Sequence, residues 1–244
     1  MFLHRAKIRF VNACYRLLHR LYYAGLFGRR LLVADRVAVI VQRWETARRR
    51  GDIPQPAAVW DAQYAAGRWD FLAGLDQLAR YSVIAGYIHY LKPEAAVLDV
   101  GCGEGLLLRS YRPYGYSRYL GVDIAANAVA RLSAAADERT HFVCADAETF
   151  HPDESFDVIV FNESLYYFRE PLTTFARYLD FLNQDGIVIV STFLGSPRAV
   201  SILKRLREKY AVLDEVQIKH NKKLEMVCSV FKPHDDNKNR KTNS

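Results

Sequence analysis

Cysteine is scarce in this chain of 244 residues: Cys14, Cys102, Cys144 and Cys228 lie far apart, and no two form a CxxC pair. That scatter argues against a zinc site and against a disulfide framework, and it fits a reducing, cytoplasmic compartment. Long apolar runs are missing as well. None approaches the roughly 18–20 residues needed to cross a bilayer, and Asp35 and Arg36 interrupt the apolar stretch at 31–41. The N-terminus shows no compact apolar segment ending in a small-residue cleavage site, so no secretory signal is expected. No internal repeat is visible. Acidic residues are nearly absent from the first fifty positions, where Asp35 and Glu45 face twelve Lys/Arg for a net charge of +10. The whole chain carries +7, so the remainder sums to −3. The basic character belongs to an extension and not to the body of the protein, which argues against a nucleic-acid partner. With 50% hydrophobic and 25% charged residues the composition is that of an ordinary folded protein, long enough to bury a core without disulfides.

Residues 2–27 read as an amphipathic helix. Leu3, Phe10, Cys14, Leu17, Leu18 and Leu21 share one face, and Arg5, Arg9, Arg16 and Arg20 the opposite one, with Lys7 intruding on the apolar side. Such a helix either packs on the domain or lies on an anionic membrane surface at the inner face. A mitochondrial transit peptide fits the arginines less well, because the segment has no Ser. Arg48-Arg49-Arg50-Gly51 and the prolines at 54 and 56 read as a linker. These signals divide the chain into a basic extension and linker at 1–56, an α/β domain at 57–233 and a polar, disordered tail at 234–244.

Within the domain a helix is expected at 71–91. Strands at 96–100, 119–123, 140–144, 156–161 and 186–193 then alternate with helices at 105–111, 125–136, 171–182 and 197–209. The fourth and fifth strands are almost wholly apolar, as strands covered on both faces are. Two further strands, at 211–219 and 223–231, meet at the turn-like His220-Asn221 and imply an antiparallel hairpin at one edge. The alternation implies a mostly parallel sheet with helices on both faces.

The densest local signal is Asp99-Val100-Gly101-Cys102-Gly103-Glu104-Gly105, a strand running into a tight glycine loop and then a helix. Glycine lets the backbone turn sharply and lets a ligand approach closely, and ligands of open α/β sheets bind at the carboxyl ends of the strands. A dinucleotide site calls for GxGxxG. Here the third glycine comes one position early, and Leu106 stands where the last should be. Asp99, just ahead of the loop, suits a cationic ligand better than a pyrophosphate. Gly121-Val122-Asp123 ends the second strand, with Asp123 placed 22 positions after Gly101 to accept from ribose hydroxyls. After the third strand, Asp146 can accept from an exocyclic amine and the Ala147 N–H can donate to a ring nitrogen. Each acid alone is an ordinary cap or loop residue. Three of them at successive strand ends, one beside a glycine loop, are hard to explain by structure alone.

This constellation resembles the class I S-adenosylmethionine-dependent methyltransferases. Asp99 to Gly105 is similar to their first motif, Gly121-Val122-Asp123 to their ribose-binding acid, Asp146-Ala147 to their adenine contact, and Phe156 to Glu163 to their fourth motif. The resemblance covers roughly 60–232. It implies a Rossmann-like seven-stranded sheet with an antiparallel last strand. It also implies S-adenosylmethionine as cofactor, held by Asp99, Gly101, Cys102, Gly103, Asp123, Ile124, Asp146, Ala147 and Asn162. Tyr64, Trp69, Arg80 and Tyr81 are expected to form a lid over it. Trp60 and Trp69 are equally explicable as packing residues.

In this fold the acceptor faces the ends of the fourth and fifth strands, where Asn162-Glu163-Ser164-Leu165-Tyr166-Tyr167 stands. Glu163 can take a proton from an amine or hydroxyl, or bind a cationic acceptor; it is equally explicable as a helix N-terminal acid. Tyr166 can wall the pocket or simply pack. Glu163 to Tyr167 resembles the matching segment of nodulation-type N-methyltransferases. His89, His141 and His151 have no metal spacing, and no metal is expected. The reading is methyl transfer to nitrogen or oxygen of a small-molecule or glycan- or lipid-linked acceptor. An NAD(P)-binding oxidoreductase, a non-catalytic S-adenosylmethionine-binding protein and an RNA methyltransferase are the alternatives; the last lacks an Asn-Pro-Pro-Tyr-like fourth motif.

Overall fold

Two-residue alternation in the apolar strands sets the layers of the fold. In β4 (Phe156–Asn162), Val158 and Val160 enter one core while Ile159 and Phe161 enter the other, all fully buried. The same split recurs in β5 (Leu182–Phe193), with Ile187 and Ile189 on one side and Val188 and Val190 on the other. The first side is closed by α2 (Leu75–Leu91) and α3 (Leu106–Tyr111) through residues such as Ile84, Ile88, Leu107 and Tyr111. The second is closed by α5 (Pro171–Tyr178) and α6 (Pro197–Lys209) through Phe175, Tyr178, Leu203 and Leu206. Burying each such side chain stabilises the fold by about 1.5–3 kcal/mol.

The computed structural model describes residues 54–220 and 224–233. The expected N-terminal amphipathic helix, the basic linker at 48–51, part of the 220–221 turn and the tail at 234–244 lie outside the described residues. A helix α1 (Ala57–Ala65) precedes α2, and a short α4 (Ala126–Ala130) follows β2 (Arg118–Asp123). With β1 (Ala96–Val100), β3 (Thr140–Cys144), β6 (Ala211–Lys219) and β7 (Glu225–Lys232), the strands form one sheet in the order β3-β2-β1-β4-β5-β7-β6. All pairs from β3 to β5 are parallel, and β7 runs antiparallel to both β5 and β6. This is the Rossmann-like, seven-stranded, mostly parallel sheet with a reversed last strand. No helix among the described residues is long and apolar enough to cross a membrane.

Several boundaries differ from the sequence reading. The helix expected at 71–91 is divided: Gly74 is extended, with ψ 156°, and separates a 3₁₀ turn (Asp70–Ala73) from α2. The helix expected at 125–136 stops at Ala130 and gives way to a 3₁₀ turn at Ser133–Ala135. β5 starts four residues early at Leu182, which pairs with Phe156 before a register shift. The terminal hairpin does not simply extend the edge. β7, buried along almost its whole length, inserts beside β5, and the exposed β6 takes the rim.

Candidate active site

The carboxyl ends of β1 to β5 open into one cleft of about 1020 Å³, at the upper end of the size range for small-molecule sites. Its floor is the glycine loop. Gly101 and Gly103 have φ of 80° and 52°, in the left-handed region, and the N–H groups of Gly101 and Cys102 both donate to Val122 O, pinning the loop to β2. A Cβ on Gly101 would stand 2.5 Å from Ser164 Cβ, and one on Gly103 would stand 2.7 Å from Tyr64 Oη. Ser164 Oγ in turn donates to Val100 O at 2.5 Å, tying the loop after β4 to the end of β1.

Asp123 is nearly buried at the cleft wall. Its Oδ2 accepts from Gly103 N at 2.8 Å and its Oδ1 from Ala125 N at 2.9 Å. Burial pushes its carboxyl up, and the backbone N–H groups of Ala125 and Gly103 oppose that. The two N–H contacts fix the carboxylate's orientation and leave lone pairs free for two more donors. Ile124 and Ala147 line the cleft beside it. Asp146 also lines it, but its Oδ2 already accepts from Arg169 Nη2 at 3.0 Å, and Arg169 Nε donates to Glu148 Oε2 at 3.0 Å.

The structure corrects the placement of Asp99. Alternation along β1 puts its side chain on the same face as Val97, under α2, so it does not line the cleft. Its Oδ2 accepts from Tyr119 Oη at 2.6 Å, and Oδ1 is buried without a hydrogen bond. Burial pushes this carboxyl up to about 7, with the Tyr119 hydroxyl opposing.

At the other side of the loop, Glu163 follows Asn162 at the end of β4 with φ 58°, unusual for a residue with a side chain. It precedes a 3₁₀ turn (Leu165–Tyr167), so it is not the first-turn acid of an α-helix. Tyr166 Oη donates to its Oε2 at 2.8 Å, while its Oε1 is buried without a hydrogen bond, 4.0 Å from Arg80 Nη1. Arg80 is itself buried; Nη2 donates to Tyr81 Oη at 2.8 Å, and Nε has no partner among the described residues. Burial, then the Glu163 charge, pushes the Tyr166 hydroxyl well above its ordinary value, so it acts as a donor and not as a base. Asn162 lines the cleft, and its Oδ1 accepts from Ser191 Oγ at 3.0 Å.

Aromatic rings close the top. Trp69 lies 5.7 Å from Trp60, 6.2 Å from Tyr64 and 6.0 Å from Phe71, and Trp60 meets Tyr167 edge-on at 4.9 Å. All of them line the cleft. Asp61 Oδ1 accepts from Asn127 N at 2.8 Å, and Arg131 Nη2 donates to Tyr64 O at 3.2 Å, so α1 is moored across the end of β2. The four lid residues expected from the sequence, Tyr64, Trp69, Arg80 and Tyr81, do meet at one cleft. Among the described residues no three His, Cys, Asp or Glu side chains are placed to hold a metal ion.

The sequence pattern of a methyltransferase domain matches residues 67–228. The chain belongs to this methyltransferase family. The cofactor of this family is S-adenosylmethionine, and membership removes the oxidoreductase alternative. Among curated relatives, the malonyl-[acyl-carrier protein] O-methyltransferase of Anoxybacillus flavithermus is 25% identical over 130 residues, covering 52% of this chain and 49% of that protein. Phosphoethanolamine N-methyltransferase 1 of Arabidopsis thaliana is 29% identical over 119 residues, 46% of this chain and 23% of that one. The chain thus spans about half or less of the length of the curated relatives it matches. The N-methyltransferase NodS from Bradyrhizobium japonicum, solved with S-adenosylhomocysteine, shares the fold with a TM-score of 0.60 at 18% identity, over 68% of this chain and 92% of that one. So does the 1,6-didemethyltoxoflavin-N1-methyltransferase of Burkholderia thailandensis, solved with 1,6-didemethyltoxoflavin and S-adenosylhomocysteine, with a TM-score of 0.60 at 20% identity over 73% and 87%.

The chain's own groups fit the cofactor of this family. A cleft floor with a cramped left-handed glycine loop, an oriented buried carboxylate on β2 and a buried guanidinium with a spare N–H matches a ligand carrying a ribose and a carboxylate. Reading the sequence missed the buried position of Arg80, the Arg169 contact, and Phe193, Leu224 and Met226, which line the far end of the cleft. Only Arg80 left a trace: Gln77, Arg80, Tyr81, Ile84 and Ile88 fall on one helical stripe, so the apolar face of α2 carries a cation into the interior.

Proposed function

We propose that this chain transfers the methyl group of S-adenosylmethionine to nitrogen or oxygen of a small-molecule or glycan- or lipid-linked acceptor. The observation that carries the reading is the convergence of the glycine loop, Asp123 and Arg80 on a single cleft at the carboxyl ends of the strands. When bound, the cofactor supplies a sulfonium methyl whose C–S bond breaks, its electron pair staying on sulfur, as the acceptor's lone pair forms the new bond to carbon. The chain's part is to hold both partners in line and to exclude water.

Gly101, Cys102 and Gly103 would bracket the methionine portion, with the Arg80 Nε–H on its carboxylate. Asp123 would accept from the ribose hydroxyls, and Ile124 and Ala147 would flank the adenine. Asp146 can receive the exocyclic amine while keeping Arg169, since a carboxylate oxygen has two lone pairs. The aromatic roof would shield the sulfonium. Glu163 would take up the acceptor's proton when there is one to lose. The relatives include both N- and O-methyltransferases, in keeping with either acceptor atom. The +10 charge of residues 1–50 supports an anionic membrane surface as the place where a lipid-linked acceptor would be met.

Titration calorimetry with S-adenosylmethionine and S-adenosylhomocysteine, followed by an acceptor screen that reads out S-adenosylhomocysteine, tests the proposal. Binding of both with turnover of an acceptor is expected. Failure to bind either would overturn it, and binding without turnover across the screen would favour the non-catalytic alternative.

A further inference from the structure

The cleft has two unlike halves. Toward β3 and β2 stand Asp146 and Asp123. Toward β5 and β7 stand Phe193, Leu224 and Met226, apolar side chains that line the same cleft as Glu163. In this second half Glu163 presents a buried carboxylate oxygen, Oε1, with no hydrogen-bond donor. A buried acceptor left without a partner costs about 1–3 kcal/mol, and more when charged, so the site is built for something that brings a hydrogen. Nearby charge does not satisfy it. Arg80 is 4.0 Å away and directs Nη2 to Tyr81, and Tyr166 serves the other oxygen.

We propose that the methyl acceptor is an amine carried on an apolar body, and that its N–H is received by Glu163 Oε1. This rests on the donor reading above and narrows the acceptor within it. An acceptor carboxylate would bring a second anion against Glu163 and no hydrogen. A hydroxyl could donate, but it would gain neither the charge attraction nor the aromatic walls of Tyr166, Tyr167 and Trp69, which favour a cation. Glu163 takes one proton from the bound ammonium and frees the lone pair that attacks the methyl carbon; the methylated nitrogen is again an ammonium, stabilised by the rings and, once the proton has passed from Glu163 to solvent, by the carboxylate. The rival partner for Oε1 is the cofactor's own ammonium. The placement of Glu163 directly after Asn162, which pairs with Ser191 of β5 and through it faces β7, favours the acceptor.

The experiment uses the full chain saturated with S-adenosylhomocysteine in neutral buffer and compares phenylbutylamine, phenylbutanol and phenylbutyrate by titration calorimetry. The amine is expected to bind about tenfold more tightly or better, the size of one charge-assisted hydrogen bond. Equal affinities, or tightest binding of phenylbutyrate, would overturn the proposal. In Glu163→Gln the amine should fall to the level of the alcohol, while affinity for S-adenosylhomocysteine stays within about threefold. A loss of S-adenosylhomocysteine affinity of about tenfold, with the amine preference intact, would assign Oε1 to the cofactor's ammonium instead. Glu163→Asp, which keeps the charge but draws it back, should retain a reduced amine preference and serves if the Gln variant does not fold; an undiminished preference there counts against the idea. Wild-type protein that does not take up S-adenosylhomocysteine at all would instead defeat the donor reading itself.

Discussion

At Gly101 the demand on the residue is local and severe. Its φ of 80° suits only glycine, and a Cβ there would meet Ser164 Cβ at 2.5 Å, an atom too close to the backbone to swing aside. Gly101→Ala should lower stability by about 2–3 kcal/mol from the left-handed conformation and the clash together. It should also weaken S-adenosylhomocysteine binding by more than about tenfold. Urea unfolding and calorimetry measure the two effects. Gly86→Ala on α2 is the control: nothing lies within 4 Å of its added methyl, and a gain of about 0.5–1 kcal/mol is expected from helix propensity alone. Asp99 offers a pH test. Because burial lifts its carboxyl to about 7, the folded protein holds a proton there that the unfolded chain has already released above its ordinary value of about 4. Its contribution to stability is therefore fully present at low pH and declines as pH rises toward about 7. Asp99→Asn keeps an acceptor for the Tyr119 hydroxyl and cannot ionise. Relative to wild type, the variant should gain ~2 kcal/mol between about pH 5 and about pH 7. Parallel unfolding curves across that range would show that Asp99 is not the group concerned.

Elements built from neighbouring residues were readable, and those that depend on distant ones were not. The glycine loop and the acid that ends β2 are each written in a few consecutive positions, so their chemistry could be inferred before any fold. The lid is intermediate. Its aromatic residues are conspicuous in the sequence, but only the mooring of α1 to α4 through Asp61–Asn127 and Arg131–Tyr64 brings them over the cleft. The apolar far wall from Phe193 and Met226 depends on β7 pairing with β5, a contact between strands well apart in the chain. The position of Asp99 beside the loop masks the alternation that turns its side chain under α2. The lid carries its own prediction. Arg68 is exposed between the rings that line the cleft, so trypsin can cut after it only as readily as this segment opens. A ligand held beneath the rings must leave before such opening. Saturating S-adenosylhomocysteine should therefore slow that cut by up to about a hundredfold, and Trp69→Ala should reduce the protection. Cleavage at one rate with and without ligand would mean that the rings do not close on it.

On the scale of the whole molecule, alternating strands and helices announced the parallel sheet, yet the order of its last two strands followed from burial rather than from chain order. β7 is apolar on both faces and went inside, leaving β6 to water. Charge is distributed with similar segregation: +10 in the first fifty residues against −3 in the rest. A domain of slight negative charge is repelled by an anionic bilayer, so attraction would have to come from the extension, at about 1 kcal/mol per basic side chain near the surface. Replacing Arg5, Arg9, Arg16 and Arg20 by Gln in the full chain removes four such charges without shortening it. Sedimentation with vesicles containing phosphatidylserine should fall by about a hundredfold or more in partition coefficient. The wild-type signal should fade as salt shortens the screening length from about 10 Å to about 3 Å. Phosphatidylcholine vesicles should bind neither form well. Equal sedimentation of the two proteins with the anionic vesicles would leave the basic extension without a membrane role, and the acceptor would then have to reach the cleft from solution.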